Sequence, residues 1–175
     1  EEADGATNYY NVEEYYKVRY TDQQIYLLDY QRSMEQIIDT ASVNVSGNIL
    51  SVGVTSDTTG YLSNETGTIV SFVQSGQLFE YNQNKQTFTK VYGFIDDPTD
   101  ARQSYGQHNI RILNIDETGN MDFVVYGYMN RGQHEGESGI DLYHYDSIKQ
   151  EAIEQVFIAT THSYQILNAD FSDLL

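Results

Sequence analysis

The sequence contains no cysteine and no tryptophan, and it has a single proline among 175 residues. The absence of cysteine excludes disulfide bonds, thiol nucleophiles and every metal centre that depends on thiolate ligands. Basic residues are also scarce, because nine Lys and Arg stand against 26 Asp and Glu and leave a formal net charge of −17. That charge repels nucleic acids and anionic membranes, so we expect neither as a partner.

Long apolar runs are missing as well. No stretch approaches the ~20 apolar residues that a membrane-spanning helix requires, and the first residues show no signal-peptide pattern. Any signal or anchor is therefore expected outside this segment. Aromatic residues, in contrast, are abundant: 16 Tyr and 7 Phe favour strands with amphipathic faces.

The middle of the chain contains a repeated pattern of short apolar segments. Within residues 48–95, alternating segments are separated by polar turns, as in an antiparallel meander. The predicted strands are 49–54, 68–73, 78–81 and 87–92.

The same pattern recurs in the same order within residues 108–158, ~55 residues further along the chain. Its second and third strands are separated by a longer polar loop than in the first unit. The predicted strands are 110–115, 123–128, 140–145 and 152–157.

Weaker copies extend this pattern in both directions. A partial unit is predicted at 13–40, with strands at 16–20, 25–30 and 34–38, after a flexible acidic tail at 1–12. The segment that begins at His108 returns 54 positions later at His162, with His, Ile, Leu, Asn and Asp in matching places. That match predicts the opening strand of a further partial unit at 164–175.

Four-stranded units of this size are typical of propeller blades. The chain resembles the β-propeller superfamily over about 150 residues, without the Trp-Asp or double-glycine kelch motifs. The resemblance implies an all-β fold of repeated four-stranded antiparallel blades, forming a partial β-propeller of about three blades. The remaining blades of a parent protein, or a second copy of the chain, would then complete the ring.

One loop resembles the calcium loop of FG-GAP and VCBS-type propeller repeats. The resemblance implies oxygen ligands at Asn114, Asp116, Thr118 and Asp122, and calcium is the one cofactor it suggests. Two of these positions lack the expected carboxylate. The alternative interpretation is a hairpin turn in which Gly119 adopts a positive φ and Asp116 accepts hydrogen bonds from turn amides.

A second candidate site is the polar loop at 130–139, since binding groups are often carried on loops of a rigid scaffold. Arg131, His134, Glu135 and Glu137 can contact a polar ligand there. The alternative is a solvated hairpin loop without a ligand.

No catalytic motif stands out. The four histidines form no metal-binding spacing, and the matching positions of His108 and His162 favour a structural role. The leading hypothesis is an extracellular, non-enzymatic binding or sensing module of a larger surface protein, similar to propeller-type ectodomains of Gram-positive bacteria. Its ligand would be a polysaccharide, a peptide or a partner protein. Two alternatives remain: a segment of a propeller-fold glycosidase or lyase, and a structural element that completes a ring by self-association.

Overall fold

The computed structural model describes residues 7–40, 43–46, 49–55 and 60–173. Within these ranges the chain forms twelve strands in four antiparallel sheets, followed by one short helix. The predicted all-β class is therefore confirmed. The helix in the described part of the chain is too short to cross a membrane.

The chain begins with a long two-stranded hairpin of β1 (Tyr9–Tyr20) and β2 (Ile25–Ile37), which pair along their whole length. Many of its apolar side chains face solvent, and Tyr20, Ile25 and Leu27 are each more than half exposed. The hairpin therefore adds little to the core.

The structure changes two predictions for this region. A single strand, β2, covers the segments 25–30 and 34–38 that were predicted as separate strands, because cross-strand pairing with β1 continues through Arg32 and Ser33. The first strand begins at Tyr9, inside the stretch 1–12 predicted as a tail. Residues 1–6 of that stretch lie outside the described residues.

A short two-stranded sheet of β3 (Asn44–Ser46) and β4 (Ile49–Ser51) precedes the first four-stranded sheet. That sheet contains, in chain order, β5 (Tyr61–Ser63), β6 (Ile69–Gln74), β7 (Gln77–Asn82) and β8 (Thr87–Tyr92). The prediction that 49–54 forms its opening strand is wrong, because Ile49–Ser51 pairs with the segment before it.

The opening strand of this sheet is set by a side chain in the turn that follows it. The Asn64 side chain accepts a hydrogen bond from the Ile69 amide at 3.0 Å and donates to the hydroxyl oxygens of Thr66 and Thr68. These bonds close a tight hairpin between β5 and β6. Tyr61–Ser63 consequently occupies the edge position that the sequence pattern assigned to 49–54.

The second four-stranded sheet has the order β12-β11-β10-β9 and confirms the four strands predicted within 108–158. It is the more regular of the two sheets, with strands of eight or nine residues. The bounds are β9 His108–Ile115, β10 Met121–Tyr128, β11 Ser138–Asp146 and β12 Glu151–Ala159.

The main hydrophobic core lies between the two four-stranded sheets. β9 contacts β5 and β6, and β12 contacts β8, so strands of equivalent position in the two sheets face each other. Ile69 and Leu78 in the first four-stranded sheet and Phe123 and Val125 in the second belong to this core and are 2% exposed or less. In the described ranges both sheets stay open, and neither closes into a ring or barrel.

The prediction of a strand near residue 164 is wrong. The segment Tyr164–Asp173 is a helix, α1, which packs on the face of the second sheet opposite the main core. Leu167 and Phe171 lie one turn apart and contact Val124 and Tyr126 of β10, and the Phe171 and Tyr126 rings stack at 4.2 Å. Tyr164 also belongs to this cluster, and the spacing of three and four positions places Tyr164, Leu167 and Phe171 on one face of a helix, whereas a strand would put Tyr164 and Leu167 on opposite faces.

The matching sequences at His108 and His162 therefore do not mark equivalent structures. His108 is buried at the start of β9, whereas His162 is exposed in the loop before the helix. The local sequence is compatible with both conformations, and packing against β10 selects the helix.

Candidate functional site

Three connecting segments meet at one end of the two sheets. The ring of His108 lies between two backbone carbonyls, with Nε2 at 3.2 Å from Gly76 O and Nδ1 at 3.3 Å from Tyr105 O. The Asn130 side chain donates to the carbonyl of Tyr105 at 2.9 Å. Burial lowers the pKa of His108, and the neutral imidazole has one N–H, so the ring donates a hydrogen bond to one of these carbonyls and contacts the other. These contacts hold the segments together. We call the turn at 75–76, the connection at 93–107 and the loop at 129–137 the loop face.

A groove of about 630 Å³ lies beside the edges of the two four-stranded sheets. Its walls include β5 and β9, each of which is the edge strand of its sheet. An edge strand offers backbone N–H and C=O groups on its open side. We call this region the strand-edge groove, and it is completed by residues of the hairpin and by Tyr164 of the helix.

Charged and aromatic side chains converge on the strand-edge groove. Glu35 of the hairpin accepts a hydrogen bond from the Ser75 amide at 2.8 Å, and this bond fixes the hairpin against the first four-stranded sheet. Burial raises the pKa of Tyr164, and the charge of Glu13 raises it further. Tyr61 lines the groove with 75% of its surface exposed. The groove is therefore polar and partly acidic, with aromatic walls.

A smaller cavity of about 310 Å³ lies on the loop face between the end of β8 and the loop at 129–137. We call it the loop cavity. The Arg131 guanidinium donates to Asp96 at 2.6 Å across its rim, and Lys90 donates to the same carboxylate at 2.9 Å. The Lys90 hydrogen bond is the main reason that the pKa of Asp96 is lowered. This ion-pair cluster joins the first sheet to the loop of the second.

Two of the four ligand residues predicted from the sequence line the loop cavity. Arg131 and His134 are part of its wall, whereas Glu135 and Glu137 are exposed and lie outside the lining. The ligand role of all four residues remains a prediction.

The buried wall of this cavity was not predicted from the sequence. Asp141 is only 1% exposed, and burial raises its pKa. Its neighbour Tyr143 also has a raised pKa, mainly through burial, and the Tyr92 hydroxyl lies 3.3 Å from the Tyr143 hydroxyl. A signal was present in the sequence, because Asp141 alternates with Tyr143 and Tyr145 and so occupies the core face of β11.

His134, Asp141 and Glu154 bring their side-chain donor atoms to within 4.8 Å of one another. His134 Nε2 lies 3.2 Å from Glu154 Oε1, and the imidazole stacks on the Phe157 ring with centroids 3.7 Å apart. Among the residues that the structure describes, these form the one group of three His, Asp or Glu side chains that can hold a metal ion.

The loop that resembles a calcium-binding loop contains the hydrogen bonds expected of a hairpin turn. Asp116 accepts bonds from the Thr118 amide at 2.8 Å and the Asn120 amide at 3.0 Å, and Gly119 has a φ of +93°. Asp122 instead accepts a bond from His144 on the neighbouring strand at 2.7 Å.

The four predicted calcium ligands thus do not all point to one place. Asn114 pairs with Asp122 across β9 and β10, while the carboxylates of Asp116 and Asp122 have separate partners. Calcium binding by Asn114, Asp116, Thr118 and Asp122 remains a prediction.

No family model, curated protein or solved structure matches this chain. The resemblance to propeller repeats therefore rests on the sequence alone. Functional inference rests on the groove, the cavity and their side chains.

Proposed function

We propose that this chain is a non-enzymatic binding module that holds an extended peptide segment of a partner protein in the strand-edge groove. The observation that carries this proposal is the presence of two edge strands, β5 and β9, in the wall of one groove. An extended peptide adds to such an edge through main-chain hydrogen bonds, and flanking pockets select its side chains. The volume of about 630 Å³ is in the range of small-molecule sites, so the groove has room for side chains of a bound peptide.

The charge of the chain favours a neutral or basic peptide. The net charge of −17 attracts cationic ligands, and in the groove the carboxylates of Glu13 and Glu35 outnumber the guanidinium of Arg111. Glu80 and Asp141, two carboxyl groups whose pKa is raised by burial, lie outside the groove lining. A binding role is therefore better supported than acid–base hydrolysis in the groove.

The partial propeller and the extracellular location belong to this proposal. Two four-stranded sheets whose equivalent strands face each other are compatible with adjacent blades of a propeller. The strand-edge groove borders the loop face, since Ser75 and Gly106 belong to both. The absence of cysteine and the acidic, tyrosine-rich composition suit a module displayed on the cell surface.

The proposal is tested with peptides selected by phage display on the purified chain, whose affinities are measured by fluorescence anisotropy. We expect basic or neutral peptides to be enriched, and N-methylation at alternate positions to weaken binding at least tenfold. Glu13→Lys should weaken binding of a basic peptide similarly. The matched control Glu151→Lys changes the charge equally, but at an exposed site outside the groove lining.

Two results would contradict the proposal. Peptides whose affinity is indifferent to both N-methylation and Glu13→Lys would not be bound along the strand edges. Binding of chito- or cello-oligosaccharides without enrichment of any peptide would instead indicate a polysaccharide-binding module.

A further inference from the structure

The buried carboxylate of Asp141 needs a partner that the neighbouring side chains do not fully supply. The residue is 1% exposed, and its Oδ1 atom has no hydrogen-bond partner among the described residues. A buried carboxylate oxygen without a partner is costly, and a bound cation is one of the arrangements that compensates for it.

Two further donors lie beside this carboxylate. The side-chain donor atoms of His134, Asp141 and Glu154 all lie within 4.8 Å of one another. The side chains of His134 and Glu154 are 17% and 31% exposed, so the group connects a buried wall to solvent. His134 and Asp141 also line the loop cavity.

We propose that His134, Asp141 and Glu154 form a binding site for a divalent transition-metal ion of the zinc type. One imidazole and two carboxylates are a donor set that zinc accepts, whereas calcium requires six to eight oxygens. In tetrahedral coordination with bonds of ~2.1 Å, neighbouring donor atoms lie roughly 3.4 Å apart. The His134–Glu154 distance of 3.2 Å is close to that separation.

The scaffold holds the three ligands in place before a metal binds. Asp141 and Glu154 lie on the paired strands β11 and β12, and the His134 imidazole stacks on Phe157 of β12. The loop that carries His134 is closed by a backbone bond from the Met129 amide to Glu137 O at 2.9 Å. Ligands that are oriented by their supporting residues bind metal more tightly.

Three protein ligands leave the fourth position of a tetrahedral ion available. Since His134 and Asp141 line the loop cavity, that position is accessible to water or to a small donor ligand from the cavity. The site is separate from the strand-edge groove, so it does not depend on the peptide proposal.

The test is a titration of chelator-treated full chain with zinc, followed by isothermal calorimetry near pH 7.5. We expect one equivalent to bind, and His134→Asn and Glu154→Gln each to weaken binding at least tenfold. Cobalt bound at the same site should give the intense visible absorption of tetrahedral coordination. Asp141→Asn is a third variant, and circular dichroism checks that each variant is folded.

Two matched controls make the result specific. Glu151→Gln changes an exposed carboxylate on β12, the strand that carries Glu154, and His144→Asn removes the imidazole of an exposed His–carboxylate pair with Asp122. Both should bind zinc like the unmodified chain. The proposal is wrong if the chain binds no zinc, or if folded His134→Asn and Glu154→Gln bind it with unchanged affinity. It is equally wrong if His144→Asn removes the binding.

Discussion

Replacement of Glu80 by Gln should change how the stability of this protein depends on pH. Glu80 lies on β7 with 7% of its surface exposed, and its Oε2 atom has no hydrogen-bond partner among the described residues. Burial raises its pKa to about 7; the Lys85 charge opposes this shift and the Asp116 charge adds to it. The first four-stranded sheet therefore holds a carboxyl group that is protonated below neutral pH. Above neutral pH this group must ionise while it is buried.

The sign follows from the number of protons bound in each state. Between pH 4.5 and about 7 the folded chain keeps the Glu80 proton and the unfolded chain loses it. Stability from this group is therefore fully present below pH 4.5 and is lost as the pH rises through about 7. Each unit of pKa difference corresponds to ~1.4 kcal/mol, so the rise from 4.5 to about 7 sets an upper limit of about 3.5 kcal/mol. Solvent screening reduces the expected loss to about 1–2 kcal/mol.

The assay is urea unfolding at several pH values between 4.5 and 8.5. Glu80→Gln stays neutral throughout, so its free energy of unfolding relative to the unmodified chain should rise by about 1–2 kcal/mol across this interval. The difference between the two chains isolates the contribution of Glu80. Glu65→Gln, at an exposed turn, is the control and should follow the unmodified chain. A constant difference between Glu80→Gln and the unmodified chain would refute the reasoning.

Three further predictions concern a glycine, a turn and the exposed hairpin. Gly127→Ala should lower the free energy of unfolding by at least ~2 kcal/mol, since the added Cβ would lie 2.3 Å from Gln107 O and φ is +118°. A change below ~0.5 kcal/mol in urea unfolding would contradict this. Asp116→Ala should cost about 1–2 kcal/mol through its lost turn hydrogen bonds. That cost should be equal with calcium or with chelator, and a larger cost in calcium would support the calcium loop. The unmodified chain should self-associate through its exposed hairpin, and Leu27→Lys should reduce this in light scattering; a monomer at every concentration would exclude hairpin association.

The second four-stranded sheet was predictable because its strands carry their own signals. Alternating apolar residues and polar turns define all four strands within 108–158, and each pairs with a strand adjacent in the chain. Local pattern and neighbouring partner agree there, so little depends on distant contacts. The loop at 130–139 was identified for the same reason, since it interrupts a regular pattern, and Arg131 and His134 do line a cavity.

Predictions failed where two segments compete for one position. The stretch 49–54 alternates like a strand, yet the Asn64 turn places Tyr61–Ser63 against β6. Near residue 164 the sequence repeats the strand that begins at His108, but contact with Val124 and Tyr126 favours a helix. Segments of this length have weak intrinsic preferences, and packing decides between the alternatives.

The sequence by itself determined the all-β class, the acidic character and the order of strands in the second sheet, because these follow from composition and short-range alternation. Only the tertiary structure decided that β5 and β9 share a groove, and that His134, Asp141 and Glu154 meet beside a buried carboxylate oxygen. The physical reason is that such groupings depend on the packing of strands and loops that are distant along the chain. No local periodicity records which of them become neighbours.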